Sequence, residues 1–476
     1  MFRINPYFCN LFFHKEMSVQ NETICSISTA PGIGAIAVVR VSGNEAFSIV
    51  NQMFKEKVDF MGIPANRACY AEVFDEDKIV DQVVFVKFAS PHSYDGEDMV
   101  EISCHGSRYI QQKLLAMLLQ RGCRLAEPGE FTMRAFMNGK MDLLQAEAVG
   151  DLIDSQSESA HRLAVNQLKG GFSRKIADLR DRFIHLAALL ELELDFSEEE
   201  VEFADRKQFL DLLSELRAEV NRLVQSFRAG NALKNGVPVA IVGKPNVGKS
   251  TLLNALLDDD RAIVSDIPGT TRDTIEDTLT IGGTLFRFID TAGIRHSDDT
   301  IENSGIQRTY RAIASADIIL YMVDAAGTTP QSLSSELEHI GHEIDLYDKK
   351  ILLIVNKMDL NPMQLSGILP DNRIEMLGIS AKKRENIEAI RTALTRSVSA
   401  REVTDSTLLT NARHYDLMMK IATDIDRIEE GLAGGLPTDL VAIDVRSTLD
   451  KLGRLTGTIS DNDVLNTIFG KFCIGK

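Results

Sequence analysis

One short segment carries glycine, lysine and serine at the spacing that binds the phosphates of a nucleotide. It follows a β-rich run, opens a helix-like run and reads Gly243-Lys244-Pro245-Asn246-Val247-Gly248-Lys249-Ser250. The glycines let backbone N–H groups approach phosphate oxygens, and the start of the helix adds a positive dipole. Lys249 would place a point charge on the β- and γ-phosphate oxygens, and the Ser250 hydroxyl suits Mg²⁺. The spacing therefore predicts a nucleotide-binding P-loop.

Three further motifs, each after a β-rich run, predict that the base is guanine. In Asp290-Thr291-Ala292-Gly293 the carboxylate can hold the Mg²⁺ shell, and the last N–H can reach the γ-phosphate. In Asn356-Lys357-Met358-Asp359 a carboxylate can accept both N–H groups of guanine, a pattern that adenine lacks. Ser380-Ala381-Lys382 completes the base pocket. The predicted GTP contacts are Asn246, Val247, Gly248, Lys249, Ser250, Thr251, Ser265, Asp266, Ile267, Pro268, Gly269, Thr270, Thr271, Asp290, Thr291, Ala292, Gly293, Asn356, Lys357, Asp359, Ser380, Ala381 and Lys382.

The residue after Gly293 raises the question of how water is activated. It is Ile294, where many small GTPases carry a glutamine that orients water, so another group must do this. The segment 265–273 offers hydroxyl and carbonyl oxygens beside Asn246, and Thr271 is a candidate second hydroxyl for Mg²⁺. Such oxygens suit a hard monovalent cation near the β–γ bridge, which would do the work of an arginine finger. An ordinary switch loop is the alternative interpretation.

The elements that must position these motifs follow from the hydrophobic pattern. Five β-rich runs are separated by helix-length segments, a pattern that is typical of a parallel α/β sheet. The runs are Val237–Val242, Leu285–Ile289, Ile318–Val323, Ile351–Val355 and Ile374–Ile379. Upstream, short runs at Ala35–Val41, Val83–Phe88 and Met99–Cys104, with a helix at Tyr109–Arg121, predict an α+β unit.

Helical patterns flank the predicted α/β sheet on both sides. Before it, apolar residues recur three and four apart from Ile176 to Leu190 and from Phe209 to Phe227, and Gly230 is predicted to end the second helix. Past Arg401 the helical pattern returns. The two flanking stretches predict one helical domain with the α/β domain inserted into it, and two separate helical domains are the alternative.

Composition limits the class of protein. A chain of 476 residues suggests about three domains, and no run of some 18 apolar residues could span a membrane. The net charge of -17 disfavours a broad basic face, so an RNA substrate would need a local basic patch or a partner. Six scattered cysteines predict a reducing cytoplasm. Residues 1–16 are predicted to be a disordered extension, with Met17 an alternative start and a targeting signal the other interpretation.

Further motifs carry a resemblance to a known family over nearly the whole chain from about Asn21. They are Pro128-Gly129-Glu130-Phe131-Thr132, Arg134-Ala135-Phe136-Met137-Asn138-Gly139-Lys140, Asp142-Leu143, Gln145-Ala146-Glu147-Ala148-Val149 and the terminal Phe472-Cys473-Ile474-Gly475-Lys476. With the guanine motifs, they make the chain resemble the tRNA-modification GTPases known as MnmE or TrmE. The terminal motif is far more specific than a P-loop.

The resemblance implies a mechanism for hydrolysis. In that family the GTPase domains dimerise in the presence of K⁺, and the matching potassium ligands here would be Asn246, Ser265, Ile267 and Thr270. Ser250 and Thr271 would hold Mg²⁺. Glu302 matches the catalytic glutamate, which would orient water through a second water molecule. Without the resemblance, Glu302 would be interpreted as a solvated carboxylate at the start of a helix.

The resemblance also implies a folate site. The N-terminal domain is similar to folate-dependent one-carbon enzymes and would bind 5-formyl- or 5,10-methylene-tetrahydrofolate through Arg40, Glu101, Lys140 and Lys476. Cations can pair with the glutamate tail of folate, and a carboxylate suits the pterin donors. Taken alone, these residues would be surface charges. Cys473 is a candidate modification site, either a nucleophile or cofactor contact or a buried packing residue.

The domains predicted in this way are an extension at 1–20, a tetrahydrofolate-binding-like domain at 21–138, a helical domain at 139–235 and 400–476, and a Ras-like GTPase domain at 236–399. The implied function is a K⁺-dependent GTPase that, with the flavin-dependent partner MnmG (also called GidA), adds a carboxymethylaminomethyl-type group to C5 of the wobble uridine of certain tRNAs. The resemblance further implies a homodimer through the N-terminal domains and a heterotetramer with the partner. A ribosome-assembly GTPase that binds rRNA and a one-carbon transferase with a vestigial GTPase are the alternatives.

Overall fold

The structure is a computed structural model that describes residues 22–54, 62–196, 206–258, 277–289, 310–327, 349–360, 374–399, 408–460 and 462–476. The chain forms two compact units. The first, unit 1, comprises Met1–Gly150 and Leu452–Lys476, and the second, unit 2, comprises Asp151–Lys451. The domain boundaries drawn from the sequence stay predictions.

The described residues form twelve strands and twelve helices. The strands are β1 (Ile24–Ile27), β2 (Ile36–Ser42), β3 (Ala68–Asp75), β4 (Lys78–Phe88), β5 (Met99–His105), β6 (Arg124–Leu125), β7 (Val237–Gly243), β8 (Asp277–Ile281), β9 (Thr284–Ile289), β10 (Ile318–Asp324), β11 (Lys350–Asn356) and β12 (Glu375–Gly378). The helices are α1 (Ala46–Asn51), α2 (Arg108–Gln120), α3 (Glu130–Met137), α4 (Leu143–Asp154), α5 (Glu158–Leu168), α6 (Gly171–Phe196), α7 (Arg206–Asn235), α8 (Lys249–Asp258), α9 (Ile387–Ser399), α10 (Ala412–Ala433), α11 (Thr438–Thr456) and α12 (Asn462–Phe469).

Unit 1 is built on a six-stranded sheet in the order β3-β4-β5-β2-β1-β6. The pairs are antiparallel except β1 with β6. Alternate residues of β4 and β5 are buried, so one face of the sheet forms the core with α1 and α2. The three strands predicted from the sequence are confirmed to within a residue or lie inside a longer strand, whereas the sequence pattern does not predict β1, β3 or β6.

A buried network of ion pairs fixes α3 in unit 1. Glu130, 2% exposed, accepts hydrogen bonds from Arg124 Nη2 at 2.6 Å and from Arg134 Nη2 at 2.9 Å. Burial alone would raise the pKa of Glu130, but the hydrogen bonds from Arg124, the Glu127 N–H and Arg134 outweigh it and hold the pKa below its usual range. Arg134 Nη1 also donates to Glu97 at 2.8 Å. These contacts give the Pro128–Thr132 motif a structural role.

Unit 2 contains the α/β sheet predicted from the sequence. Its strand order is β12-β11-β10-β7-β9-β8, and the pairs are parallel except β8 with β9. The middle strands are nearly continuous apolar runs, as expected of strands buried on both faces. Helices α8 and α9 pack on one face. The fold class predicted from the sequence, α+β and α/β in one multidomain chain, is confirmed; the antiparallel edge strand β8 was not predicted.

Helix α7 corrects one expectation. It continues through Gly230 to Asn235, so Gly230 does not end the helix. A Cβ at Gly230 would lie 2.1 Å from the carbonyl oxygen of Leu409, so the glycine allows the returning chain to cross closely. Helix α10 then packs along α7, so helices from both sides of the α/β sheet are in contact in unit 2. A single helical domain stays a prediction. None of the helices in the described part of the chain is both long and apolar enough to cross a membrane.

Candidate functional site

The loop between β7 and α8 has the backbone that the P-loop motif predicts. Gly243 has a φ of +145°, and a Cβ there would lie 2.3 Å from the carbonyl oxygen of Met322. Gly248 has a φ of +101°, and a Cβ there would lie 2.3 Å from Nδ2 of Asn356. A larger residue would clash with backbone at Gly243 and with the buried Asn356 side chain at Gly248, and both positive φ values favour glycine. Asn246 between them is left-handed, with a φ of +62°, and exposed.

The ammonium group of Lys249 lies over this loop. Its Nζ donates to the carbonyl oxygens of Gly243 and Lys244, each at 2.8 Å. Burial lowers the pKa of Lys249, because the charged form is less well solvated there. An anion in the loop would supply the missing stabilisation, so the geometry suits phosphate oxygens.

The buried side chain of Asn356 joins three of the motifs. Its Nδ2 donates to the carbonyl oxygen of Val247 in the P-loop at 2.7 Å. Its Oδ1 accepts from the N–H of Ala381 at 3.0 Å. Only 3% of Asn356 is exposed, so both hydrogen bonds are shielded from water. The phosphate loop and the base loop after β12 are therefore held at a fixed separation at the carboxyl ends of β7, β11 and β12.

The carboxylate predicted to recognise guanine lies beside this junction. The side chain of Asp359 is 8% exposed. A hydrogen bond from Ser380 holds the pKa of Asp359 below its usual range, so the group is an acceptor near neutral pH. Ser380 Oγ also accepts from the N–H of Lys383 at 3.2 Å, which orients the hydroxyl.

Lys357 ties the loop after β11 to the end of β10. Its backbone is left-handed, with a φ of +67°, and its Nζ lies 2.6 Å from Oδ2 of Asp324 at the end of β10. The hydrogen bond from Lys357 lowers the pKa of Asp324. Of the remaining predicted GTP contacts, Thr251 and Lys382 are exposed at the rim and Ser250 is half-buried.

Several predicted site residues lie outside the described residues. They are Ser265, Asp266, Ile267, Pro268, Gly269, Thr270, Thr271, Asp290, Thr291, Ala292, Gly293 and Glu302. From the predicted cation ligands the structure describes Ser250, which is half-buried, and Asn246, which is exposed. A hydroxyl and a side-chain amide oxygen are donor types that Mg²⁺ and K⁺ accept, so the chemistry of these two side chains is compatible with the predicted ions. Within the described ranges, no cluster of three histidine, cysteine or acidic residues could hold a metal.

The predicted folate residues in unit 1 lie around α3 and the loop 91–98. Arg40 and Glu101 face each other across β2 and β5, with Arg40 Nη2 2.7 Å from Glu101 Oε1. The guanidinium carbon lies 5.1 Å from the ring centre of Tyr94 and 5.4 Å from that of Phe131. Lys140 Nζ donates to the Pro91 carbonyl at 2.8 Å, at the other end of the loop.

The C-terminal segment enters the same region. The N–H of Phe131 donates to the main-chain oxygen of Lys476 at 3.2 Å, and Ser28 Oγ donates to the Gly475 carbonyl at 3.0 Å. Gly475 has a φ of +98°, and a Cβ there would lie 2.3 Å from the Ile27 carbonyl oxygen. The tail therefore brings the main chain of Lys476 next to the backbone of Phe131, the residue whose ring contacts Arg40. The thiol of Cys473 is exposed, so the buried-packing interpretation is wrong.

Sequence reasoning missed two parts of these sites. It assigned Asn356 to GTP contact but not to the junction between the loops, which no local pattern shows. It also missed Tyr94 and Phe131 beneath Arg40. Phe131 belongs to the Pro128–Thr132 motif, which was the available sequence signal for it. No sequence signal pointed to Tyr94.

Comparison with known families matches two domain models. The model described as the GTP-binding protein TrmE N-terminus matches residues 23–140. The model of the MnmE helical domain matches residues 143–473. Together they cover nearly all of the described chain.

Whole-length relatives agree with these domain matches. A tRNA modification GTPase MnmE from Flavobacterium johnsoniae is 46% identical over 467 residues, covering 96% of this chain and 100% of that protein. The Bacteroides thetaiotaomicron protein of the same name is 44% identical over 471 residues, with 96% and 100% covered. Among solved structures, the FeoB G-domain from Methanococcus jannaschii is 25% identical and covers 34% of this chain and 96% of that one. Its TM-score of 0.25 is too low to add to the fold assignment.

Proposed function

The chain belongs to the MnmE family of tRNA modification GTPases, and from that premise we propose that it hydrolyses GTP to drive modification of the wobble uridine of tRNA. The observation that carries this proposal is the junction at Asn356, which holds the phosphate loop and the base loop at one sheet edge. This junction sets the distance between the residues that would bind the phosphates and those that would bind the base. The proposed product carries a carboxymethylaminomethyl-type group at C5 of uridine.

The described residues would divide the work of binding. The P-loop N–H groups and Lys249 would hold the β- and γ-phosphates, and Asp359 would accept the two N–H groups of guanine. Ser250 with Thr271 would hold Mg²⁺, and Asn246 with Ser265, Ile267 and Thr270 would hold K⁺. These ions would supply positive charge at the β–γ bridge, where negative charge develops during hydrolysis. Glu302 would position the attacking water, since Ile294 cannot.

Two further features of the proposal concern the second site and the assembly. Arg40, Glu101, Lys140 and Lys476 would bind a formyl- or methylene-tetrahydrofolate, and their placement around α3 and the loop 91–98 supports a common site. The exposed thiol of Cys473 would lie near it as a cofactor contact or nucleophile. We also propose a homodimer through the N-terminal domains, the flavin-dependent MnmG as partner, and a cytoplasmic location.

The first experiment measures steady-state GTP hydrolysis in K⁺ and in Na⁺ at equal ionic strength. We expect strong stimulation by K⁺ with dimerisation of the GTPase domains, because the cation would complete the site at Asn246. Equal rates in the two salts would remove the cation mechanism and favour the ribosome-assembly alternative.

A matched variant tests the assignment of the catalytic residue. Glu302→Ala should lower kcat by about a hundredfold and nearly preserve nucleotide affinity, because its role is confined to the transition state. A parallel loss of GTP binding would show that Glu302 has another role. Loss of tRNA modification in the same variant would exclude a vestigial GTPase.

A further inference from the structure

Unit 2 contains a cleft on the sheet edge opposite the P-loop. Its volume is about 450 Å³, and it lies between the C-terminal turns of α7 and the amino ends of the parallel strands. Pro238 of β7 and Arg287 of β9, which are register partners, form its floor. Strand β7 has seven residues, which places the cleft about 20 Å from the phosphate loop. A ligand in the cleft would therefore leave the nucleotide site accessible.

The lining of the cleft is cationic, in a protein whose net charge is -17. Arg228, Arg287 and Lys349 line it together with one carboxylate, that of Asp317, so the lining carries a surplus of two positive charges. Neutral polar side chains, Asn231 among them, complete the wall. An acidic protein that binds RNA would need a local basic patch of this kind.

The carboxylate in the lining is already held by one of the cations. Asp317, whose side chain is 8% exposed, accepts from Arg228 Nε at 2.7 Å and lies 2.6 Å from Arg228 Nη2. Lys349 Nζ donates to the main-chain oxygens of Ala314 and Ala316, each at 2.7 Å, which sets the position of the ammonium group. The cleft is thus a preorganised arrangement of charge, and a ligand need not order it.

We propose that this cleft binds a backbone phosphate of the tRNA substrate. A guanidinium group such as that of Arg287 donates in a planar fork that matches two phosphate oxygens, and an ammonium group such as that of Lys349 adds a further donor, while Arg228 stays paired with Asp317. The volume of the cleft lies within the range of small-ligand sites. A phosphate with its sugar could enter such a cleft, whereas a flat protein surface could not. The proposal rests on the proposed function, since it takes tRNA as the substrate.

The test compares tRNA affinity of full-length variants across a series of KCl concentrations, with an unmodified tRNA transcript as the probe. Arg287→Gln and Lys349→Gln each remove one positive charge from the cleft, and Arg228 is left intact because it holds buried Asp317. Lys420→Gln is the matched control, because Lys420 is 57% exposed on α10 and does not line the cleft. Thermal unfolding and GTP hydrolysis without tRNA report on folding and on the nucleotide site.

Each cleft variant should weaken tRNA binding about fivefold, and the slope of log affinity against log salt should fall by about 0.7–0.9. The control, and GTP hydrolysis in all variants, should be unchanged. Wild-type affinity and slope in both cleft variants would overturn the site but not the function. Loss of MnmG binding with tRNA binding intact would overturn it in favour of an acidic protein surface. Competition by inorganic phosphate with tRNA affinity unaltered would identify a small-anion site instead. If the wild-type protein binds no tRNA even with MnmG, the proposed function fails and this site with it.

Discussion

Replacing Asn356 by aspartate tests whether its side chain holds the nucleotide site together. The two side chains have the same shape, so the introduced carboxyl keeps the oxygen that accepts from the Ala381 N–H. The other oxygen then faces the Val247 carbonyl at the position where Nδ2 donates at 2.7 Å. Two acceptors would oppose each other at a site that is 3% exposed. The variant therefore loses one buried hydrogen bond without changing volume.

The loss of folding free energy in Asn356→Asp has an upper limit, because the new carboxyl group can bind a proton. Leaving the Val247 carbonyl without a donor costs about 1–3 kcal/mol, and burying the charge adds to that. The introduced carboxyl can escape both costs by binding a proton and donating it to the carbonyl. From an ordinary pKa of about 3.9, protonation at pH 7 costs about 4 kcal/mol, and at pH 5 about 1.5 kcal/mol. Because the folded pKa is raised, the destabilisation should be small at low pH and grow as the pH rises.

The assay is thermal unfolding with fluorescent-GDP titration between pH 5.5 and 8. Asn386→Asp is the matched control, since Asn386 is exposed and donates to the Gly378 carbonyl at 2.7 Å. We expect Asn356→Asp to unfold at lower temperature and to bind GDP more weakly, with both differences widening toward pH 8. Asn386→Asp should change little at any pH. A difference that is absent, or that does not vary with pH, would refute the role of Asn356 as a buried junction.

Three other changes have definite outcomes. Gly248→Ala should abolish GTP binding in a titration while circular dichroism stays close to wild type, because the new Cβ would lie 2.3 Å from Nδ2 of Asn356. Glu130→Gln should lower thermal stability above pH 4.5, the ordinary value, and the deficit should vanish as the pH falls through the lower folded pKa, since the carboxylate contributes only when ionised. A constant deficit from pH 3.5 to 7 would contradict that assignment. Asp359→Asn should weaken GTP binding at least about a hundredfold in competition assays and improve XTP binding, because two charge-assisted hydrogen bonds are lost and xanthine presents an acceptor. Unchanged preference for GTP would place guanine recognition elsewhere.

The nucleotide site could be predicted because its information is local. Each motif follows its own strand, and the carboxyl ends of parallel strands meet at one sheet edge whatever the rest of the chain does. The predicted runs at Val237–Val242 and Ile318–Val323 each lie within one residue of the observed strands. The edge strand β8 was missed because its five residues include only two buried side chains.

Long-range contacts account for what local pattern could not predict. Gly230 has the propensity of a helix end, yet the helix continues through it, and the glycine makes room for Leu409, 179 positions later. The rings beneath Arg40 come from Tyr94 and Phe131, which lie on separate elements. No spacing rule links such residues, so the resemblance supplied Arg40 and the structure supplied its aromatic neighbours.

The tail that docks on unit 1 has a consequence for how the protein is made. Gly475 packs on the carbonyl of Ile27, and Lys476 on the N–H of Phe131, although about 300 residues of unit 2 separate the two parts of unit 1. At about 5–20 residues per second, the ribosome needs roughly 15–60 s to synthesise that intervening stretch. During that time the nucleotide domain is itself synthesised and can fold, whereas the nascent N-terminal sheet still lacks its last docking segment. Translation order therefore lets the GTPase fold fully before the unit that carries Arg40 is closed.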